Sequence, residues 1–320
     1  MRTSQRLPED GEVLRALVRR RDTGRRDDGH RVALVIASGG MRGAYAGGMA
    51  HAIDDAGLAG GFDAVYGSSA GAYIGVALIH AGGANAARIF FEDMACRDFI
   101  DPRRLCGRGS MVSLDHLVDR ILVDSKPMPW DRIRDSTVAL NVVATAVDDL
   151  SGHVLEPRTI SDWKLAMRAT SSIPLLAGGP VRLHDRSWID GAVSEPLPLL
   201  RALRDGSTHV LALINLSVPE LRRIPADPPS PLWVRGLNRL VPGLGDIAQS
   251  ESGLGPVRAV LEQADHPHRR HAHLLTVGPE ADAGVGPLTI DPVKVRTATE
   301  IGYAAFTAAL DRTVGRAQPI

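Results

Sequence analysis

The chain of 320 residues is poor in several things at once. It has two cysteines, Cys96 and Cys106. A chain this long can bury a core without staples, so a reduced compartment is the plainer expectation. Aromatic residues make up only 4%. Charge of one sign is not in excess: Lys+Arg and Asp+Glu stand at 37 each. That balance gives no electrostatic footprint for nucleic acid. No run of about 18 apolar residues occurs, which leaves no spanning helix to propose. The first residues, MRTSQRLPEDGEVLRALVRRRD, lack the apolar stretch of a signal peptide. A cytoplasmic location is the expectation, and no cofactor is implied.

What is present is glycine, 33 residues of it, and apolar residues at 44%. Glycines punctuate an alternation of strand-like and helix-like runs. Val32–Ala37 is continuous and β-branched, as in a strand buried on both faces. Ser38-Gly39-Gly40 breaks it, and a helix is predicted to about Ala56. Phe62–Tyr66 is a second strand and Ala70–His80 a second helix. Helices are predicted at 84–94, over LDHLVDRILV, and over WKLAMRATSS with a cap near Asp162. STVALNVVATAVDD, HVLALINLS and HLLTV read as further strands, RLHDRSWIDGAVSEP as a hairpin, and TATEIGYAAFTAALDRT as a closing helix. The alternation predicts an α/β fold with a mainly parallel central sheet.

Two segments stand apart. Residues 1–29 form a charged leader in which Val13, Leu14, Leu17 and Val18 have helical spacing, followed by RRRDTGRRDDGH, read as a solvated linker. Residues 219–264 are proline-rich, then amphipathic. Within them PLWVRGLNRLVP is a candidate lid or membrane-interface segment, with core packing as the blander alternative. The remainder, 30–320, is expected to be one domain, without internal repeats.

Two glycine motifs carry chemistry. Tyr66-Gly67-Ser68-Ser69-Ala70-Gly71 is G-x-S-x-G between a strand and a helix, the context of a nucleophile elbow centred on Ser69. Ser38-Gly39-Gly40-Met41-Arg42-Gly43 opens the preceding helix. It fails as a dinucleotide loop, because Ser38 stands where the first glycine belongs. A plain tight turn remains open. So does an oxyanion hole, in which consecutive N–H groups at a helix start converge on one point. One βαβ unit separates the two motifs, so both turns can share a sheet edge.

The base for Ser69 is less plain. His51, His80 and His116 fall on predicted helices as ordinary surface or packed residues. His266, His268, His271 and His273 cluster, but no cysteine or carboxylate set completes a metal site. Asp190, in Trp188-Ile189-Asp190-Gly191-Ala192, is the better candidate, against the alternative of an ordinary Asp-Gly turn.

In this order, SGGMRG, GSSAG and DGA resemble the motifs of the patatin-like phospholipase family. RATSSIP and DPRRLCGRGSMVSLDHL resemble further segments of its bacterial members, so the resemblance spans roughly residues 31–310. It implies a three-layer α/β/α fold and lipid acyl hydrolase activity on a phospholipid or other carboxylic ester. It also implies a Ser69–Asp190 dyad without histidine. Gly39 and Gly40 would supply the oxyanion hole with Met41 adjoining. Ser38, Arg42, Gly43, Gly67, Gly71 and Gly191 would support the motifs, and no metal is implied. Peripheral membrane contact is a candidate and nucleic acid is not. Two departures are Ser38 in place of a glycine and Glu195 where many members have a polar Asn or Asp. Other readings are a Ser-His-Asp esterase or thioesterase, and a non-catalytic regulatory protein on the same fold.

Overall fold

The protein is described by a computed structural model. The described residues are 11–107, 109–174, 176–217, 257, 260–261 and 272–315. The sheet has eight strands: β1 (Val32–Ile36), β2 (Ala64–Ser68), β3 (Ala139–Ala146), β4 (Gly152–Val154), β5 (Val181–Leu183), β6 (Arg186–Asp190), β7 (His209–Leu213) and β8 (His273–Val277). Their order is β5-β6-β3-β2-β1-β7-β8, with β4 also on β3. The run from β3 to β8 is parallel, while β4 and β6 join β3 antiparallel and β5 joins β6 likewise.

The helices are α1 (Glu12–Thr23), α2 (Gly43–Asp55), α3 (Ala70–His80), α4 (Gly83–Ile89), α5 (Trp130–Arg134), α6 (Ile160–Thr170), α7 (Leu199–Arg204) and α8 (Pro292–Gly315). Side chains of β1 alternate between two cores, as a strand covered on both faces requires. Val32, Leu34 and Ile36 join the larger core with α1, α2, α3 and α8. Ala33 and Val35 join the smaller one with Leu199, Ala202, Val257, Val260 and Leu261. The result is the expected α/β/α layering. None of the described helices is long and apolar enough to cross a membrane.

Close approach explains several glycines. A Cβ on Gly48 of α2 would fall 1.9 Å from the Thr299 carbonyl, and one on Gly302 of α8 1.9 Å from that of Tyr45. These reciprocal contacts let α8 lie directly on α2. Helix α8 begins at Pro292, earlier than the predicted closing helix, and proline at a first helical position costs no hydrogen bond.

Other elements depart from expectation. The start of α6 is capped by Thr159 rather than Asp162. The Thr159 hydroxyl accepts from the Asp162 N–H at 3.1 Å while the Asp162 carboxylate accepts from the Thr159 N–H at 3.0 Å, a reciprocal box. The predicted helix at 84–94 ends as a wide π turn, Phe90–Met94, and LDHLVDRILV becomes a π-type helix, His116–Ser125.

The leader holds more structure than a charged extension suggests. Val13, Leu14 and Leu17 of α1 are fully buried. Arg20, read as part of a solvated linker, is 3% exposed. It donates to Asp28 and Asp63 at 2.7 Å each, and to the carbonyls of Gly61 at 2.8 Å and His30 at 2.9 Å. Residues 21–29 that follow are exposed. The candidate lid, PLWVRGLNRLVP, lies outside the described residues.

Candidate functional site

Ser69 stands between the last residue of β2 and the first of α3, with φ 51° and ψ −127°. A non-glycine residue in that region stores on the order of 1–3 kcal/mol, held by its surroundings. The flanking glycines are forced by proximity. A Cβ on Gly67 would lie 2.5 Å from the backbone of Gly71, and one on Gly71 2.3 Å from the Ile36 carbonyl at the end of β1. The turn is therefore pressed against the neighbouring strand. The Ser69 N–H donates to Thr170 Oγ1 at 2.9 Å, and Thr170 in turn donates to the Val143 carbonyl at 2.5 Å. This brace joins the elbow to the end of α6 and to β3.

Asp190 ends β6 opposite Ala144 of β3, while Val143 of β3 pairs with Ser68 of β2. The register thus carries Asp190 to the elbow across one strand. Gly191 has no room for a side chain: a Cβ there would lie 2.2 Å from the Val143 carbonyl and 2.8 Å from Ser68 Cβ. The aspartate is fully buried. Its Oδ2 accepts from Ser69 Oγ at 2.9 Å and its Oδ1 from the Ala192 N–H at 2.7 Å. Its own N–H donates to the Ser172 carbonyl at 3.0 Å, and its carbonyl accepts from Thr145 Oγ1 at 2.8 Å. Burial pushes the carboxyl up to about 7, against the pull of the two hydrogen bonds. Because Ser69 Oγ bonds Asp190 directly, no imidazole is interposed.

The glycine loop leaves β1 beside the elbow, since β1 and β2 are parallel neighbours with Ile36 level with Gly67. Gly39 has φ 151° and Gly40 φ 56°, conformations that suit glycine. Among the described residues, no partner accepts from the Gly39 or Gly40 N–H. The Met41 N–H is different: it donates to the Pro287 carbonyl at 3.0 Å. Met41 is thus not a free donor, although the sequence placed it beside the oxyanion hole. Arg42 Nε donates to the Val285 carbonyl at 3.2 Å, tying the loop to the same segment. Ser38 donates its N–H to the Pro196 carbonyl at 2.8 Å. Gly43 sits against Ala70, whose Cβ would be 3.0 Å from a Cβ on the glycine.

Four residues that hold this arrangement were not nominated as site residues from the sequence: Thr170, Ser172, Asn215 and Pro287. Asn215 is buried, and its Nδ2 donates to the carbonyls of Ala37 at 3.0 Å and Ser38 at 2.9 Å. Its Oδ1 accepts from the Ala46 N–H at 3.1 Å. One amide thereby clamps the loop to α2. A signal existed: Asn215 is the polar residue that closes the apolar run HVLALI. Thr170 and Ser172 lie within RATSSIP, but nothing in that string shows which hydroxyl faces the elbow.

Glu195 pairs with Arg201 through both carboxylate oxygens. His51 meets the Tyr303 ring edge to face, His209 lies between His30 and His273, and His266, His268 and His271 lie outside the described residues. Beneath the elbow, an almost wholly apolar cavity starts at Ala70 and follows Tyr73, Ile74 and Ala77 of α3. Phe90 and Met94 wall it, and Lys126 stands at its lining as the charged member.

A family model described as patatin-like phospholipase matches residues 34–203, a span that contains the glycine loop, the elbow and Asp190. The chain belongs to the patatin-like phospholipase family. That family is one of ester-bond hydrolases. The patatin-like chain is 30% identical over 186 residues to the uncharacterized protein YjjU of Escherichia coli K12, covering 57% of this chain and 51% of that protein. It therefore spans about half the length of the curated relative it matches. Among solved structures it is similar to VipD from Legionella pneumophila, with TM-score 0.44, 13% identity, and 89% and 67% of the two chains covered. It is also similar to the type III effector protein ExoU, with TM-score 0.30, 15% identity, and 89% and 53% covered.

Proposed function

We propose that the protein is a serine lipid acyl hydrolase in which Ser69 and Asp190 act as a dyad. The observation that carries this reading is the 2.9 Å bond from Ser69 Oγ to a fully buried carboxylate. An ordinary aspartate is too weak a base to take a serine proton near neutrality. One lifted to about 7 by burial is matched to the task. The direct bond favours the dyad over a histidine-containing triad.

In the proposed sequence Ser69 Oγ attacks the ester carbonyl while Asp190 takes its proton. The N–H groups of Gly39 and Gly40 receive the negative charge on the carbonyl oxygen. Asp190 returns the proton to the leaving alcohol. It then removes one from the water that hydrolyses the acyl-Ser69 ester and gives it back to Ser69. The apolar cavity at Ala70 measures about 30 Å³, too small to hold an acyl chain, so the lipid acyl part of the reading is carried by the family.

A fluorophosphonate probe tests the nucleophile: labelling is expected for the native protein and absent from Ser69→Ala. Lipid profiling of the same pair then reports the substrate. Unchanged ester turnover by Ser69→Ala would remove the proposal.

A further inference from the structure

The parallel ladders of the sheet end in two different ways. Where Ile36 of β1 pairs with Leu213 of β7, the next residue, Ala37, donates its N–H directly to the Leu213 carbonyl at 2.9 Å. Where Leu213 pairs with Val277 of β8, Ile214 donates directly to the Val277 carbonyl at 2.9 Å. Ser68 of β2 pairs with Val143 of β3 in the same parallel sense, so the ladder pattern directs the Ser69 N–H to the Val143 carbonyl. That N–H goes instead to Thr170 Oγ1 at 2.9 Å, and Thr170 Oγ1 donates onward to the Val143 carbonyl at 2.5 Å. A single hydroxyl is thus inserted into the ladder at the residue that carries the nucleophile.

We propose that Thr170 is a positioning residue for the reaction: its hydroxyl is a spacer that holds Ser69 off β3, at the place where Ser69 Oγ meets Asp190. The inference rests on the acyl-hydrolase reading above for the role of Ser69. The inserted hydroxyl separates the Ser69 nitrogen from the Val143 oxygen by two hydrogen bonds instead of one. Only a group that accepts and donates at once can fill this place, and a hydroxyl does both. Thr170 is fully buried and Ser69 nearly so, which shields the Ser69 N–H from water. Without the spacer the ladder can close by one residue. Ser69 then leaves the strained conformation at φ 51° and ψ −127° for an extended one, and its Oγ moves away from the carboxylate.

The end of α6 is itself fixed to both halves of the dyad. Tyr73 of α3 donates its hydroxyl to the Met167 carbonyl at 3.0 Å, which ties α6 to the helix that follows the nucleophile. Two residues beyond Thr170, the Ser172 carbonyl accepts the Asp190 N–H at 3.0 Å. Residues 170–172 therefore hold Ser69 through its N–H and Asp190 through its N–H. The spacing between nucleophile and base is set by one short stretch of chain. Thr170 touches neither the substrate nor the exchanged proton, so its effect on the rate passes through Ser69.

The test uses the full chain and a neutral aryl ester. Thr170→Val keeps the shape of the side chain and removes the hydroxyl. Its kcat is expected to fall about 10²-fold, the effect of a reacting group displaced by about 1 Å, with KM unchanged. The midpoint of its pH profile should rise, because the Asp190 carboxyl loses the Ser69 hydrogen bond that helps to hold it down. Thr170→Ser should recover most of the rate and the native midpoint. Thr159→Ala weakens α6 at its opposite end, through the capping box, and should leave kcat unchanged. A native kcat in Thr170→Val overturns the inference, as does a loss that serine does not recover or that Thr159→Ala reproduces. Hydrogen exchange on the native protein tests the bond without any variant: the Ser69 amide should be protected, and exchange at the rate of an exposed amide overturns the inference. All these outcomes leave fluorophosphonate labelling of native Ser69 in place. Failure of the acyl-hydrolase reading shows instead as a native protein that the probe does not label.

Discussion

The N–H of Met41 donates to the carbonyl of Pro287 at 3.0 Å, although the two stand 246 positions apart in the chain. The same oxygen would stand 2.5 Å from a Cβ on Gly40. The loop after β1 is therefore held from outside by the segment before α8, and its orientation is fixed before any substrate arrives. Such preorganisation is what makes backbone donors effective toward a developing oxyanion. It also divides the loop: the Gly39 and Gly40 N–H groups remain available, and that of Met41 is committed.

Gly40→Ala follows directly. The added methyl would meet the Pro287 carbonyl, and φ 56° disfavours any side chain. The loop must shift, taking the donors with it. Ester turnover is expected to fall roughly 10²–10³-fold, the cost of losing one oxyanion donor. Circular dichroism should show the fold retained, and fluorophosphonate labelling of Ser69 should slow in parallel. Unchanged kcat would mean the loop does not receive the oxyanion.

The pH profile tests the base. Asp190 must be ionised to accept a proton, and burial places its titration near 7. The value of kcat/KM for a neutral aryl ester should rise with unit slope below pH about 7 and level off above it. A profile flat down to pH 5 would point to a carboxylate of ordinary strength.

The same group sets a stability dependence of opposite sense. Its folded pKa, about 7, lies above the ordinary aspartate value of 3.8. Between those values the folded protein holds a proton that the unfolded chain has lost, so stability falls as pH rises through the window. Above pH 7 the full cost is present; below pH 4 it is absent. Asp190→Asn removes the charge, keeps an acceptor for the Ala192 N–H, and should stabilise the protein at pH 8 by up to about 4 kcal/mol. At pH 4 the two proteins should unfold at similar denaturant concentrations. Urea unfolding at the two pH values measures the difference, and a variant no more stable at pH 8 would contradict the buried charge.

The strands and the turn glycines were legible in the sequence because each answers to a local rule. Continuous β-branched runs such as Val32–Ala37 can only be buried on both sides, and Gly67 and Gly71 mark the turn at Ser69. Asp190 was legible through its order relative to the other motifs. What escaped depends on contacts made across the fold. Pro287 and Asn215 reach the glycine loop from remote strands and loops, and no periodicity encodes such a meeting. The cap of α6 was missed by three residues, because Thr159 and Asp162 bond each other and the sequence shows only two candidates. Arg20 was misplaced for a related reason. In RRRDTGRR every arginine looks alike, and only the fold decides which one meets two aspartates.

That distinction among arginines can be measured. Arg20 is 3% exposed and bonds Asp28, Asp63 and the carbonyls of Arg26, His30 and Gly61, joining α1 to the residues around β1 and β2. Asp63 also accepts from the Val32 N–H at 2.8 Å, so the network reaches the first residue of β1. Replacing Arg20 by alanine leaves those acceptors without their donor. The aspartates keep some access to water, with side chains 30% and 27% exposed, which limits the loss. The expected destabilisation is on the order of 2 kcal/mol, below the cost of splitting a fully buried ion pair. Arg25, five residues on, pairs with Asp27 where both side chains are more than half exposed, and Arg25→Ala should not shift the unfolding midpoint. Thermal unfolding of the two variants compares them directly. Since α1 and its anchor lie away from Ser69, kcat should be unchanged in both at temperatures below the transition. Equal midpoints for the two variants would show that the leader contributes nothing to the stability of the domain.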